Sequence, residues 1–295
     1  MPDRSFRWSR PYSLNRSGRS RYERSGSLSG LTRVRQFIQD DAHIYVRPDQ
    51  LMEEIQGLLG EVHEAYGWFG LKPRFSFATK PDKAIGDPAL WERAERLTME
   101  AFAASDISYQ LKPKDGTFYA PKIDIYIDDA LGREWQMATI QIDLTMLPER
   151  FNLTYIDESG KAVRPIAIHR AIYGSLERFI GILIEHFAGA FPLWLAPVQA
   201  VVIPIADRHV APAEELAGVL RAKGLRVEVD DADSRMQNKI RLAQEQKVPY
   251  MLVLGDREVE AKTAAPRTRA GEQQPAEGWE ALADRLAAEA AARGA

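Results

Sequence analysis

The segment FPLWLAPVQ, residues 191–199, separates two parts of this sequence whose apolar residues follow different patterns. Its prolines and tryptophan interrupt both the helical and the alternating periodicity, as boundaries between domains commonly do. Before it, candidate strands come in groups with helices between the groups, which predicts an antiparallel sheet backed by helices. After it, strands and helices alternate, which predicts a compact α/β domain with a mostly parallel or mixed sheet. The predicted fold class is therefore α+β.

The local patterns of the first part predict individual elements. Alternation predicts that LTRVRQFIQ and HIYVR are paired strands, and that RFSFATK, GTFYAPKIDIYIDD, REWQMATIQIDLT and FNLTYID are further strands. Asp49 is predicted to cap one helix, and Asp87 with Pro88 to start another. The segment IHRAIYGSLERFIGILIEHF, residues 168–187, has helical periodicity and is predicted to be a helix.

Composition limits the classes of protein to consider. The 295 residues contain no cysteine, so they supply no disulfide, thiolate ligand or thiol nucleophile, which is compatible with a reducing cytoplasm. A net charge of −3 argues against a sequence-blind nucleic-acid coat, so any RNA contact must use local clusters of cations. Residues 1–20 are rich in Arg and Ser and nearly lack acids; they are expected to be a disordered or divergent leader, with an organellar transit peptide as the alternative.

Three short segments suggest chemistry. QDDAHIY at 39–45 and IHRAIYGSLER at 168–178 each contain one imidazole beside carboxylate or guanidinium groups, and R-Y-E precedes them at 21–23. Arginine binds phosphate through two charge-assisted hydrogen bonds and stays protonated, and imidazole is a common zinc ligand. The combination suits a site that holds a metal and a polyphosphate together.

These segments, with SGSLSGLTRVR and GSLER in the same order, closely resemble the threonyl-tRNA synthetase family of class II aminoacyl-tRNA synthetases. The resemblance runs from about Arg21 to Arg269 and implies a class II catalytic domain at 21–193 and an anticodon-binding domain at 197–295. The text before Arg21 departs from the family. The first class II motif and the family's upstream zinc-ligand cysteine are not found, so the resemblance is to the C-terminal part of that family.

The resemblance also implies site residues. Arg21 and Arg178 are expected at phosphates, and the ATP-binding set is Arg21, Glu23, Arg33, Phe37, Gln136 and Arg178. Asp41 is expected to hold the substrate ammonium group, and the threonine-binding set is Gln39, Asp41, Tyr119, Lys122, Gln141 and Ser175. His43 and His169 match two of the family's three zinc ligands. The expected anticodon-reading residues are Arg241, Lys247, Glu258 and Arg267, although a solvated helix face explains the first two equally well taken alone.

The function implied is that of a threonine–tRNA ligase that uses ATP, Mg²⁺ and Zn²⁺ and acts on tRNA(Thr), with activity impaired by the missing upstream part. Relatives are homodimers, and the missing first motif makes a dimer doubtful here. One alternative is a non-catalytic protein that binds tRNA or another structured RNA. A second alternative is an enzyme for proline or serine, which the histidine pair argues against. The three remaining histidines are expected to be structural: His63, His186 and His209.

Overall fold

The computed structural model of the chain describes residues 12–15 and 18–293. It divides into two compact units, Met1–Leu183 and Ile184–Ala295. The predicted boundary at 190–199 lies a short way beyond this division and stays a prediction. Within the described ranges, no helix is both long enough and apolar enough to cross a membrane.

The first unit contains, in chain order, β1 (Tyr12–Asn15), β2 (Gly18–Ser20), β3 (Gln36–Ile38), β4 (Asp41–Val46), α1 (Leu51–Gly67), β5 (Arg74–Ala78), α2 (Pro88–Ala104), β6 (Tyr109–Lys112), β7 (Lys122–Asp128), β8 (Glu134–Asp143), α3 (Met146–Arg150), β9 (Tyr155–Ile156), β10 (Ala162–Val163), β11 (Ile166–Ala171) and α4 (Leu176–His186), whose last turn passes the division.

One large sheet dominates this unit, with strand order β1-β4-β11-β8-β7-β5-β6. Neighbouring strands are antiparallel except for the parallel pair β5–β6. The sheet has two different faces: in β4, Ala42, Ile44 and Val46 are fully buried, whereas the alternate residues Asp41 and His43 are partly exposed. Buried side chains of α1 supply the apolar cover that one face needs. The predicted antiparallel sheet backed by helices is confirmed.

Two local predictions have different outcomes. Asp87 accepts a hydrogen bond from the N–H of Ala89 at 2.9 Å, and Pro88 starts α2, as the sequence predicts. Asp49 does not cap α1, which begins after Gln50, because its carboxylate instead accepts hydrogen bonds from Arg47 at 3.0 and 2.7 Å.

The segment predicted as one long helix is partly wrong. Ile166–Ala171 is a strand in the middle of the sheet, and the helix begins only at Leu176. The apolar residues of this segment fit a helical period, but pairing with β4 and β8 on both sides decides the backbone. Gly174, in the loop between this strand and α4, has φ of +68°, and a Cβ atom there would lie 2.1 Å from the carbonyl oxygen of Met137.

Two further predictions need correction. LTRVRQFIQ and HIYVR do not pair with each other: β3 pairs with β2, and β4 pairs with β1 and β11. The leader of residues 1–20, predicted to be disordered or divergent, contains strands at Tyr12–Asn15 and Gly18–Ser20, because β4 and β3 offer them backbone partners. The other leader residues lie outside the described residues.

The second unit contains β12 (Ala200–Pro204), α5 (Val210–Ala222), β13 (Val227–Val229), α6 (Met236–Glu245), β14 (Tyr250–Leu254), α7 (Asp256–Ala261), β15 (Thr263–Ala264), β16 (Pro266–Thr268), β17 (Glu277–Gly278) and α8 (Trp279–Ala291). Its sheet has the order β13-β12-β14-β16, with the last strand antiparallel. Helices α5 and α8 cover one face and α6 covers the other. The predicted mixed α/β domain is confirmed.

Candidate functional site

Four side chains form a row across the large sheet, one from each of four neighbouring strands. His43 of β4 is directly opposite His169 of β11, His169 is opposite Gln141 of β8, and Gln141 is opposite Lys122 of β7. Residues directly opposite each other in a sheet point to the same face. Residues that are far apart in sequence therefore meet on the polar face.

The two histidines lie against each other, with ring centroids 4.6 Å apart in an edge-to-face arrangement. Nε2 of His169 is 3.0 Å from Oδ2 of Asp143, a fully buried carboxylate at the end of β8. Burial alone would raise the pKa of Asp143, but hydrogen bonds from His169 and from the N–H groups at the start of α3 hold that pKa below its usual value. Burial and the neighbouring His169 lower the pKa of His43. A neutral imidazole is the form that binds a metal.

The described residues do not complete a metal site. Within residues 12–15 and 18–293, no group of three or more His, Cys, Asp or Glu side chains is placed to hold a metal ion. Zinc in proteins usually has four ligands, of which a catalytic site leaves one position open. His43 and His169 could supply two of these ligands, so the donor set fits zinc only in part.

A pocket of about 520 Å³ opens over the histidine row. Asp41 contributes a carboxylate to its wall, and Nη2 of Arg19 donates a hydrogen bond to that carboxylate. The hydroxyl of Tyr119 donates a hydrogen bond to Oε1 of Gln141. Burial raises the pKa of Tyr119, so its hydroxyl stays protonated at neutral pH. Polar groups of both signs in a pocket of this size suit a small zwitterion such as an amino acid. We call this the histidine pocket.

A second pocket of about 470 Å³ adjoins the histidine pocket, and the two share Arg21, Gln39, Thr139 and Ala171. We call it the arginine pocket, because Arg21, Arg33 and Arg178 line it. The charge of Arg21 therefore belongs to both pockets. A ligand that fills both pockets would have this guanidinium in the wall around it.

Charge and aromatic surface are combined in the arginine pocket. The guanidinium carbon of Arg21 lies 5.4 Å from the ring centroid of Phe37, and that of Arg178 lies 5.3 Å from the ring centroid of Trp135. Burial lowers the pKa of Arg178, and the charges of Arg33 and Arg21 lower it further. Nη2 of Arg33 is 3.2 Å from Oε2 of Glu23, which offsets part of the positive charge of the pocket. The guanidinium groups of Arg21 and Arg178 add to the remaining positive charge, and an arrangement of this kind favours a polyphosphate.

A polar connection joins the two sequence segments that line the pockets. The carboxylate of Asp40 accepts hydrogen bonds from the backbone N–H groups of Ile172, Tyr173 and Gly174 at 2.8, 3.0 and 2.9 Å. In the other direction, the carboxylate of Glu177 accepts from the N–H of Ile38 at 3.0 and 3.1 Å. These bonds fix the loop before α4 against the start of β4.

Three predicted site residues lie in positions that need comment. Ser175 lines the arginine pocket instead of the histidine pocket, and its hydroxyl donates to Glu177 at 3.0 Å. Lys122 belongs to the histidine row but lines neither pocket, because its Nζ donates to Oδ2 of Asp124 at 2.5 Å. Gln136 lines the arginine pocket, and its amide donates to Oδ1 of Asp124 at 2.7 Å. The other residues predicted for the first domain line the two pockets.

Sequence reasoning does not predict five residues that the site contains. Asp124 and Asp143 are fully buried acids inside the apolar runs KIDIYI and IQIDL, and an acid at an inward position of a strand is a signal that would have found them. Asp40, Arg19 and Trp135 carry no such signal, because their roles depend on partners that are distant in sequence.

The predicted anticodon residues do not form a single cluster. Arg241 on α6 pairs with Glu245 at 2.5 Å and is exposed. Arg267 on β16 has a buried Nε without a hydrogen-bond partner in the described part of the chain. Lys247 precedes β14, whereas Glu258 follows it in the first turn of α7. A strand of this length separates its two ends by about 17 Å, so Lys247 and Glu258 lie beyond opposite ends of β14.

Comparison with known proteins defines the class. Residues 14–187 match the family described as the tRNA synthetase class II core domain (G, H, P, S and T), and residues 199–289 match the family described as the anticodon binding domain. The chain therefore belongs to the class II aminoacyl-tRNA synthetases.

Within that class, the chain is similar to threonine–tRNA ligases. That of Anaeromyxobacter dehalogenans is 52% identical over 272 residues, which cover 92% of this chain and 42% of that protein. That of Thermotoga petrophila is 52% identical over 253 residues, which cover 86% and 39%. The predicted resemblance is confirmed, and the chain spans about 40% of the length of these curated relatives.

Two solved structures are also similar. One is the RNA binding domain of threonyl-tRNA synthetase from Cryptosporidium parvum Iowa II, with a TM-score of 0.89 and 36% identity, covering 97% of this chain and 72% of that one. The other is a putative threonyl-tRNA synthetase from Aeropyrum pernix, with a TM-score of 0.74 and 28% identity, covering 94% and 68%. Both support the fold described above.

Proposed function

We propose that this chain carries the threonine-activating and tRNA-reading parts of a threonine–tRNA ligase. In the first step, the carboxylate of threonine attacks the α-phosphorus of ATP to give threonyl-adenylate and pyrophosphate. In the second step, a terminal ribose hydroxyl of tRNA(Thr) attacks the carbonyl carbon and AMP leaves. The observation that carries this proposal is the pair of adjoining pockets, one with Asp41 and two imidazoles, the other with three arginines and Phe37. The names of the relatives support threonine as the amino acid.

The shared wall of the two pockets suits the chemical step. An amino acid in the histidine pocket and a nucleotide in the arginine pocket would bring a carboxylate and an α-phosphate together beside Arg21. Two anions repel each other strongly at bonding distance, so a cation between them lowers the barrier. Arg21 can supply this charge, and Arg33 and Arg178 can neutralise the departing pyrophosphate. The reaction needs positioning and charge, and it requires no protein nucleophile.

Two metals accompany this function in the family. Mg²⁺ would enter with ATP and spread the charge of the phosphates; Glu23 and Glu134 are the carboxylates of the arginine pocket, a ligand type that a hard cation accepts. Zinc would bind to His43 and His169. Because these two imidazoles are an incomplete donor set among the described residues, we expect weaker zinc binding than at a complete site and slow adenylate formation by the 295-residue chain.

A binding experiment tests the proposal without depending on turnover. Isothermal titration calorimetry with 5′-O-(N-L-threonylsulfamoyl)adenosine, a stable mimic of the adenylate, should show saturable binding that is tighter than that of the valyl mimic. Arg21→Ala should weaken the affinity about thirtyfold, the equivalent of about 2 kcal/mol for a lost charge-assisted hydrogen bond. Arg24→Ala, at an exposed arginine that lines neither pocket, should leave it unchanged.

The same experiment separates the alternatives. Equal affinity for the threonyl and valyl mimics would contradict threonine as the substrate. Absence of binding to any adenylate mimic, together with tight binding of a tRNA(Thr) anticodon stem-loop, would support the non-catalytic RNA-binding protein instead. Threonine-dependent exchange of labelled pyrophosphate into ATP then measures the first chemical step directly.

A further inference from the structure

The wall of the histidine pocket includes Arg19, an arginine that the sequence analysis does not predict as a site residue. Arg19 lies on β2 directly opposite Phe37 of β3, and its Nη2 donates a hydrogen bond to Oδ2 of Asp41. The side chain of Asp41 is 16% exposed and that of Arg19 is 44% exposed. The carboxylate is therefore mostly enclosed, and the guanidinium that pairs with it remains accessible to water.

Asp41 is the one carboxylate among the described residues that line the histidine pocket. The other formally charged side chains in that wall are arginines: Arg19, Arg21 and Arg170. An ammonium group that leaves water needs a carboxylate partner, because an unpaired charge in a pocket is costly. The amino group of a bound amino acid would therefore depend on Asp41, and Arg19 already pairs with this carboxylate.

We propose that Arg19 competes with the α-ammonium group of the amino acid for Asp41, and so sets the affinity of the histidine pocket for its substrate. This inference rests on the proposed function, which assigns the ammonium group to Asp41. Arg19 bonds to Oδ2 of Asp41, so the ammonium group gains both oxygens of this carboxylate only when Arg19 leaves Asp41 for solvent. Arg19 also repels the ammonium group directly, since both carry a positive charge.

The influence of Arg19 extends to the histidine pair. Burial lowers the pKa of His43, and the positive charge of Arg19 is among the groups that add to this decrease. Because this ion pair is partly exposed, its removal should change the affinity for an ammonium-bearing ligand about fivefold, as for other pairs of this kind.

Calorimetry with two mimics isolates the ammonium group. One is 5′-O-(N-L-threonylsulfamoyl)adenosine, and the other is its 3-hydroxybutanoyl analogue, which lacks only the α-amino group. Arg19→Ala should increase the affinity for the threonyl mimic about fivefold and leave the affinity for the analogue unchanged. Arg19→Lys keeps the positive charge and should keep most of the competition. Arg24→Ala, an exposed arginine of the same segment that lines neither pocket, should change neither affinity.

The outcomes distinguish failure of this inference from failure of the proposed function. If the wild type binds the threonyl mimic and Arg19→Ala leaves its affinity unchanged or lower, the competition is refuted. An equal gain for both mimics also refutes it, because the effect would not depend on the ammonium group. If neither the wild type nor Arg19→Ala binds either mimic, the proposed function fails and the inference fails with it. Circular dichroism of Arg19→Ala confirms that the variant is folded before titration.

Discussion

Replacement of Asp40 by alanine should destabilise the first unit by about 3 kcal/mol. The carboxylate accepts three backbone hydrogen bonds, from Ile172 and Tyr173 on Oδ2 at 2.8 and 3.0 Å and from Gly174 on Oδ1 at 2.9 Å. It also lies 3.6 Å from Nη1 of Arg170. The substitution removes all of these acceptors at once.

The magnitude follows from the number of bonds and their enclosure. Each hydrogen bond contributes about 1 kcal/mol net, and bonds to a charged acceptor lie at the upper end. The side chain of Asp40 is 15% exposed and that of Arg170 is 12% exposed, so water replaces the lost partners poorly. Of the ion pairs of Arg170, the variant would keep the one with Glu61, at 3.8 Å. Asp40→Asn keeps one oxygen acceptor and should lose about half as much, roughly 1.5 kcal/mol.

Urea denaturation at 25 °C measures this change in the free energy of unfolding. Asp49→Ala is the matched control, because that carboxylate is 65% exposed and pairs with Arg47 at the surface; its loss should cost less than about 0.5 kcal/mol. Asp40→Ala should also weaken binding of the threonyl-adenylate mimic, since the loop it holds leads to Ser175 and Arg178 in the arginine pocket. A cost below about 1 kcal/mol, or one equal to that of the control, would refute the reasoning.

Three further predictions concern stability at low pH, binding of tRNA and the boundary between the two units. The pKa of Asp143 is lowered in the fold, so its contribution to stability is complete above about pH 4 and is lost as the pH falls through the lowered pKa. In urea titrations at decreasing pH, Asp143→Asn should therefore lose less free energy of unfolding than the wild type does. An unchanged dependence of that free energy on pH would contradict this prediction. Arg241→Ala and Arg267→Ala should each weaken binding of a tRNA(Thr) anticodon stem-loop by about 1–3 kcal/mol, and unchanged affinity in both variants would disprove the assignment. Limited proteolysis should cut within the predicted boundary at 190–199. The expected cut lies ahead of Trp194, because Arg226 donates a hydrogen bond to the carbonyl oxygen of Trp194 at 2.9 Å. A first cut inside 200–260 would count against two folding units.

Elements whose causes are local could be predicted from the sequence. The start of α2 depends on Asp87 and Pro88 alone, and both the cap and the first turn form as predicted. The alternating strands and helices of the second unit were equally accessible, because each carries its own period. β11 was not, since its conformation depends on pairing with β4 and β8. The spacing of Ile168, Ala171 and Ile172 along the sequence fits a helix, and this spacing contains no information about pairing strands that are distant in the chain.

The candidate site shows the same limit in its polar groups. The resemblance indicates His43 and His169, and the sheet register then places them directly opposite each other. It does not indicate that Lys122 pairs with a buried acid on its own strand, Asp124, which turns its ammonium away from both pockets. Side-chain type and spacing predict which groups are present, whereas their pairing decides which of them remain available to a ligand.

Hydrogen-bond pairing also explains how the site residues can be held in fixed positions although they come from separate segments. The carboxylates of Asp40 and Glu177 accept hydrogen bonds from backbone N–H groups. Every residue except proline provides such a group, so these bonds tolerate changes in the side chains of the loops that they hold. Asp41, the neighbour of Asp40, uses its carboxylate on a side chain instead, that of Arg19, and a side chain can leave. Two adjacent aspartates thus have opposite roles: the bonds of Asp40 fix the geometry of the pockets, and the bond of Asp41 is the one that a substrate can replace.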